Sequence, residues 1–321
     1  MVKLYFINVG YGDSILIEGG ENQKHFCMLI DGGSGQHLAY AKPMRTRSAD
    51  FLKEIGIKKI DILIITHLHE DHVGGLIDVI DRFPVGELWC NCLLPREVLE
   101  AAQDFPDAGS GQEEQLHALY GYLHICSALG ATARLREITA MSAPLYEDNG
   151  FSISCIGPEK DILHTQKEQI RAFFEEPSPR KRTLLLRQLF TLTNRTSLVL
   201  KLICCGRTVL LGADTDAECW DRLLRQKVDL KADVLKLPHH GRSDGITTAA
   251  ARVIAPDIVV VSAPNDQADG CLSPNALGCF DRFSTKFFVT DGADLPPFLH
   301  ALPHRAIVLN LALGKLDITY V

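Results

Sequence analysis

The chain has 321 residues, 46% of them hydrophobic and 23% charged, with a formal net charge of −7. This length can bury a stable core without disulfide bonds, and the acidic balance argues against a surface that coats nucleic acid nonspecifically. No apolar run reaches the length of a transmembrane helix, about 18 residues, and the N-terminus lacks a signal-peptide pattern. We therefore expect a soluble, cytoplasmic protein with no membrane insertion, whose cysteines are buried free thiols. No pattern indicates a protein partner.

Residues 1–65 show the pattern of strands separated by glycine-rich turns, with one helix among them. The apolar run Ile60–Ile65 is interrupted only by Asp61, which is typical of a strand covered on both faces, and it leads directly into Thr66 and His67. Strands are predicted at Leu4–Val9, Ser14–Glu18, Phe26–Ile30 and Ile60–Ile65, and a helix at Ser48–Ile55.

Later in the chain, helical and strand patterns alternate. Between about residues 94 and 190 helical patterns dominate, and we interpret this stretch as a mainly helical insertion or cover within a single domain of residues 1–321. Strand clusters at both ends, with helices between and after them, predict an α/β fold of two packed sheets with helices outside. The predicted helices are Leu76–Asp81, Glu113–Leu129 and Ile162–Phe174, and the predicted strands are Glu87–Cys92, Ser197–Cys204, Thr208–Leu211, Val234–Leu237, Ile258–Val261, Phe287–Val289 and Ile307–Leu313.

Four side chains that can bind metal follow the strand Ile60–Ile65 within six residues: His67, His69, Asp71 and His72. A loop that leaves a strand can turn the first two toward one point and the last two toward a second point nearby. Imidazole and carboxylate are ligands that divalent zinc, manganese and iron accept. The spacing therefore predicts a site for two metal ions.

Two further strand ends carry residues of the same type. The strand Thr208–Leu211 is followed by Asp214, which suits a carboxylate bridging two metals, and Asp216 is the competing choice. The strand Val234–Leu237 leads into Pro-His-His-Gly at residues 238–241. Ligands from three strand ends make a metal centre a stronger interpretation than a polar surface loop.

These motifs resemble the metallo-β-lactamase superfamily, whose motif is His-x-His-x-Asp-His. The Val-Gly-x-Gly-Asp opening at residues 9–13 and the Pro-His-His-Gly stretch resemble the hydrolase domain of ComEC-type competence proteins and their free-standing relatives. The resemblance implies a four-layer αβ/βα sandwich with a helical insertion. The matching stretches are residues 6–14, 29–33, 66–75, 197–214 and 235–241.

The resemblance also implies a role for each residue. The first metal would be held by His67 and His69, the second by Asp71, His72 and His240, with Asp214 between them. His239 would face the substrate's phosphate and act with Asp71 in catalysis, although the adjacent histidines could exchange roles. Many superfamily members have another histidine ligand where this chain has residues 193–197, and the competence branch tends to have Asn or Ser there. The side chains expected to orient ligands without binding metal are Asp31, Asp13 and Asn194, with a plain turn aspartate as the equal alternative for Asp13.

Two metals lower the pKa of a bridging water from about 15.7 toward roughly 7, so that hydroxide is available near neutral pH. We therefore expect a binuclear hydrolase with two zinc or manganese ions, favouring a phosphodiesterase or nuclease acting on nucleic acid or another phosphodiester. The alternative is a small-molecule hydrolase for a phosphocholine ester, cyclic nucleotide, thioester or lactam. A flavodiiron oxidoreductase and a metal-poor binding module are disfavoured by His69 and by the complete ligand set. The candidate phosphate contacts are Lys236, Arg242, Arg180, Lys181 and Arg182, the last three having a solvated surface as their alternative.

Overall fold

The strands form two sheets in the computed structural model, which describes residues 1–21, 24–95, 98–99, 113–148, 150–266, 270–281, 284–292 and 302–321. Their bounds are β1 (Val2–Ile7), β2 (Ile15–Glu21), β3 (Lys24–Ile30), β4 (Ile60–Ile65), β5 (Val85–Cys90), β6 (Arg134–Glu137), β7 (Tyr146–Asp148), β8 (Phe151–Gly157), β9 (Val199–Cys204), β10 (Arg207–Leu211), β11 (Val234–Lys236), β12 (Ile258–Val261), β13 (Lys286–Val289), β14 (Ala306–Ala312) and β15 (Lys315–Tyr320).

In the described part of the chain, the first sheet has eight strands in the order β15-β14-β1-β2-β3-β4-β5-β6. The second has seven, in the order β13-β12-β11-β10-β9-β8-β7. Strands β3 to β6 pair in parallel, as do β10 to β13, so that the carboxyl ends of β10, β11 and β12 lie at one edge.

The helices cover the outer faces of the sheets. Their bounds are α1 (Ser48–Glu54), α2 (Glu70–Val73), α3 (Leu76–Arg82), α4 (Glu113–Gly130), α5 (Lys160–Glu175), α6 (Pro179–Leu192), α7 (Ala217–Arg225), α8 (Thr248–Ile254) and α9 (Pro274–Gly278), and short 3₁₀ segments lie at His37–Tyr40, Thr193–Thr196 and Pro238–Gly241.

Three apolar clusters explain the layering. In β4, Ile62 and Ile64 point into the cluster between the sheets, whereas Leu63 and Ile65 point into the cluster under the helices of the first sheet. The third cluster packs the second sheet against α7, α8 and α9. Central strands are therefore apolar on both faces, as the sequence of β4 indicated. The α/β sandwich of two sheets with helices outside is confirmed.

Residues 94–190 differ in part from the expected helical cover. This stretch supplies α4, α5 and α6, but β6 extends the first sheet while β7 and β8 extend the second. The strands β6 and β7 have only four and three residues, too short for a clear alternating pattern, so the helical signal dominated the prediction. Residues 96–97 and 100–112 of the stretch lie outside the described residues.

Candidate metal centre

Strand ends from both sheets deliver the candidate ligands to one place. The segment after β4 supplies the histidines and Asp71, the turn after β10 supplies Asp214, and the turn after β11 supplies His239 and His240. The backbone of both histidines in this turn is left-handed, with φ of 49° and 52°. Such a conformation is costly for non-glycine residues and is retained where surrounding structure fixes it.

One group of four residues encloses a potential second-metal position: Asp71, His72, Asp214 and His240. One ligand atom of each lies within 4.8 Å of the others. The Oδ2 atom of Asp214 is 3.3 Å from Nε2 of both His72 and His240, and Nε2 of His240 is 3.2 Å from Oδ2 of Asp71. Two imidazoles and two carboxylates are a donor set for zinc or manganese.

A second group shares Asp214 and contains His67 and His69. Nε2 of His67 is 3.7 Å from Oδ2 of Asp214 and 3.2 Å from Nδ1 of His69. The competing carboxylate, Asp216, accepts a hydrogen bond from the Cys219 backbone N–H and caps α7. The geometry therefore favours Asp214 over Asp216 as a carboxylate common to both groups.

The polar atoms of this cluster fit a bound cation. Nε2 of His72, Nε2 of His240 and Oδ1 of Asp214 are buried and have no hydrogen-bond partner among the described residues. Buried polar atoms are otherwise nearly always hydrogen-bonded, so imidazole nitrogens and carboxylate oxygens that face one another at 3.2–3.3 Å without a hydrogen bond suit a cation between them.

Hydrogen bonds behind the ligands fix their orientation. Asp31 contacts Nδ1 of His72 at 2.8 Å and accepts hydrogen bonds from the backbone and hydroxyl of Thr66 at 2.9 and 2.7 Å. Nδ1 of His240 donates to the Ser262 carbonyl at 2.9 Å, which leaves Nε2 available at the cluster. Both contacts select the imidazole tautomer that a metal requires.

The opening turn of the chain packs directly against the metal loop. Gly12 has φ of +93°, and a Cβ there would lie 1.6 Å from the backbone oxygen of Asp71, so only glycine permits this approach. The N–H of the next residue, Asp13, donates to the same oxygen at 3.3 Å. The Val-Gly-x-Gly-Asp motif thus has a steric reason in this structure.

Burial and charge oppose each other within the cluster. Burial acts to raise the pKa of Asp71 and Asp214, but His72 and His240 outweigh it and hold both pKa values below the ordinary range. Burial acts to lower the pKa of His72 and His240, but Asp214 and the neighbouring carboxylates raise both pKa values well above 6.5. For His67 burial prevails, and its pKa is well below the ordinary value. Asp71 and Asp214 are therefore ionised and are stabilised by positive charge beside them.

Lys236 does not lie where a phosphate contact would require. Its side chain is 0% exposed, makes an ion pair with Asp13, donates to the Ala213 carbonyl at 3.1 Å and lies 4.0 Å from Oδ1 of Asp214. The lysine lies inside the sandwich beside the Asp214 carboxylate because all of β11 is buried. The expectation of a substrate contact does not fit this geometry.

The cluster lies at the floor of a cleft of about 970 Å³. His239 and Arg242 line it, and His239 contacts Asn194 through Nε2 at 3.2 Å and Asp244 through Nδ1 at 2.9 Å. Sequence reasoning did not single out Asp244, whose spacing from His239 carries no motif, nor Phe190 of α6, which also lines the cleft.

The basic cluster at residues 180–182 occupies the first turn of α6 and does not line this cleft. The cluster is therefore helical, and Pro179 occupies the first position of α6. Across the described ranges, no helix is both long and apolar enough to cross a membrane.

Residues 7–118 match the sequence model of the metallo-beta-lactamase superfamily. Over 296 residues the chain is 22% identical to ComE operon protein 3 of Bacillus subtilis (strain 168). The matched region spans 89% of this chain and only 31% of that protein.

Solved structures are similar at low identity. A mutant of CmlA beta-hydroxylase is 15% identical with a TM-score of 0.48, covering 96% of this chain and 54% of that one. Zinc-bound PqqB from Methylobacterium extorquens is 11% identical with a TM-score of 0.44, covering 97% of this chain and 100% of that one. Residues 7–118 are thus similar to the metallo-beta-lactamase superfamily, and the chain is similar at low identity to about a third of ComE operon protein 3.

Proposed function

We propose that this metallo-beta-lactamase superfamily hydrolase is a binuclear phosphodiesterase, with nucleic acid as its leading substrate class. The observation that carries the proposal is the position of Asp214. Its carboxylate lies 3.3 Å from two histidines of one ligand group and 3.7 Å from His67 of the other. A shared carboxylate at the centre of six ligands supports two cations a few ångströms apart.

When bound, such a metal pair activates water near neutral pH and neutralises charge on a phosphoryl oxygen. The first ion would be held by His67 and His69, the second by Asp71, His72 and His240. His239 lies on the cleft beside these ligands, where it can face the substrate, with Asn194 and Asp244 fixing its ring.

Charge in the cleft supports a phosphate ester over a neutral lactam or thioester. Arg242 and Arg187 line the cleft, and neither guanidinium forms an ion pair with any residue that the structure describes. An anionic substrate gains from unpaired guanidinium groups near the metals, since arginine binds phosphate through charge-assisted hydrogen bonds. A neutral ester would gain little from them.

A substrate panel with zinc or manganese present tests the proposal. DNA, RNA or bis-p-nitrophenyl phosphate should be cleaved, whereas nitrocefin and a thioester should not. His69→Ala and Asp71→Ala should abolish cleavage, and His164→Ala, which changes an exposed histidine of α5, should not. Ready turnover of the lactam or thioester, with every phosphodiester untouched, would decide for a small-molecule hydrolase instead.

A further inference from the structure

Residues beyond the candidate metal ligands also line the cleft. The C-terminal part of α6 contributes Arg187, Phe190 and Thr191. Residues three and four apart share a helix face, so these three side chains lie on one side of α6. The 3₁₀ segment His37–Tyr40 contributes Leu38.

Phe190 is held in a fixed position relative to the metal centre. Its ring stacks on that of His69, with centroids 5.7 Å apart and planes inclined by 23°. Because His69 is itself a candidate metal ligand, the aromatic ring lies directly beside the place where a phosphate would react. Phe190 is only partly buried and contributes surface to the cleft.

Leu38 presents a second apolar surface in a cleft with many polar lining groups. Its side chain is 81% exposed, so packing within the chain does not account for its apolar character at this position. A single exposed leucine is ordinary on a protein surface. Leu38 differs because it lines the same cleft as Phe190.

Apolar surfaces and two arginines in one cleft together match a nucleotide. A nucleobase stacks on an aromatic ring whatever its identity, and arginine binds the phosphates on either side. Resting on the phosphodiesterase proposal, we infer that Leu38 and Phe190 flank a substrate nucleobase and that Arg187 contacts an adjacent phosphate.

A pair of dinucleotides isolates the contribution of the base. One is thymidylyl-thymidine, and the other replaces one base by hydrogen on the same sugar-phosphate backbone. Binding is measured by calorimetry on chelator-treated protein, and kcat/KM by chromatography after manganese or zinc is restored. The parent should favour the dinucleotide with both bases by about tenfold in both measurements, the size of one stacking interaction.

Two variants and a matched control locate the effect. Phe190→Leu keeps an apolar side chain without the ring, Leu38→Ser removes the second apolar surface, and both should reduce the preference several-fold. Leu184→Ser changes a leucine of α6 that is 56% exposed and outside the cleft, and it should keep the preference. The preference is a ratio between the two dinucleotides, which react at the same centre. Any general effect of Phe190 on His69 therefore cancels in that ratio.

The outcomes separate this inference from the phosphodiesterase proposal. Equal binding of the two dinucleotides by the parent overturns the base subsite, and so does an equal loss of preference in Leu184→Ser and Phe190→Leu. A base preference in binding that disappears in Phe190→Leu, without cleavage of either dinucleotide, supports the subsite and contradicts the phosphodiesterase.

Discussion

Asp214 is the residue on which both halves of the proposed metal centre depend. Replacing it with alanine removes a ligand from both groups, so Asp214→Ala should lose most bound metal. Elemental analysis of purified protein measures this directly. Asp216→Ala is the matched control: it should keep its metal and lose only about 1 kcal/mol of stability with the cap of α7. Full metal retention in Asp214→Ala would remove the residue from the bridging role.

Lys236 forms a buried ion pair with Asp13 beside the Asp214 carboxylate. In Lys236→Met, Asp13 would keep a buried charge without its partner, so the free energy of unfolding should fall by about 3–5 kcal/mol. Urea denaturation of metal-free protein measures the loss. Lys201→Met breaks an ion pair with Asp229, which is 81% exposed, and should cost about 1 kcal/mol or less. Similar losses in the two variants would show that the buried pair has no special weight.

Protonation of the ligands predicts the pH dependence of metal binding. The pKa values of His72 and His240 are raised well above 6.5, so both imidazoles carry protons at neutral pH when no metal is bound. Metal binding requires neutral imidazole and must displace these protons, so affinity should keep rising as pH increases beyond 6.5. Calorimetry of zinc binding in buffers of different ionisation enthalpy should detect the released protons. Heats that do not depend on the buffer would contradict the assignment.

At the scale of single elements, α6 connects the cleft to the basic cluster. Arg180 lies two turns before Arg187 on the same helix face, about 10 Å away along the axis. Arg187→Gln should therefore weaken binding of even short oligonucleotides. Replacing Arg180, Lys181 and Arg182 with serine should weaken only DNA long enough to leave the cleft, and it should flatten the salt dependence of that binding.

Binding of short and long DNA at several salt concentrations measures the two effects. Arg252→Gln, on the exposed face of α8, is the control for loss of one positive charge. If the triple variant binds long DNA like the parent at every salt concentration, the cluster is a solvated surface. The surface that binds DNA would then end at Arg187.

Elements with strong local signals could be predicted from the sequence, and the contacts between distant elements could not. The strand Ile60–Ile65 was predicted with its observed bounds because its apolar run has strand length and is followed by the metal loop. The strand Lys315–Tyr320 was not predicted, since only Leu316 and Ile318 form its apolar face and both are just partly buried. Lys236 was placed at the substrate because its pairing with Asp13 joins residues 223 positions apart.

The whole molecule brings ligands from both sheets to one edge of a four-layer sandwich. His67 and its neighbours come from the first sheet, while Asp214 and His240 come from the second. The candidate centre therefore exists only when the two sheets pack correctly. The sequence shows which candidate ligands follow which strands, whereas the positions of Phe190 and Asp244 on the cleft depend on the assembled fold.

Titration of metal-free protein with manganese or zinc, following hydrolysis of bis-p-nitrophenyl phosphate, tests the central claim most directly. Two ions sharing Asp214 predict that activity rises to a plateau at about two equivalents of metal per chain. His164→Ala should give the same curve, and Asp214→Ala should stay inactive throughout. A plateau at one equivalent, or no phosphodiester hydrolysis at any metal concentration, would contradict a binuclear phosphodiesterase.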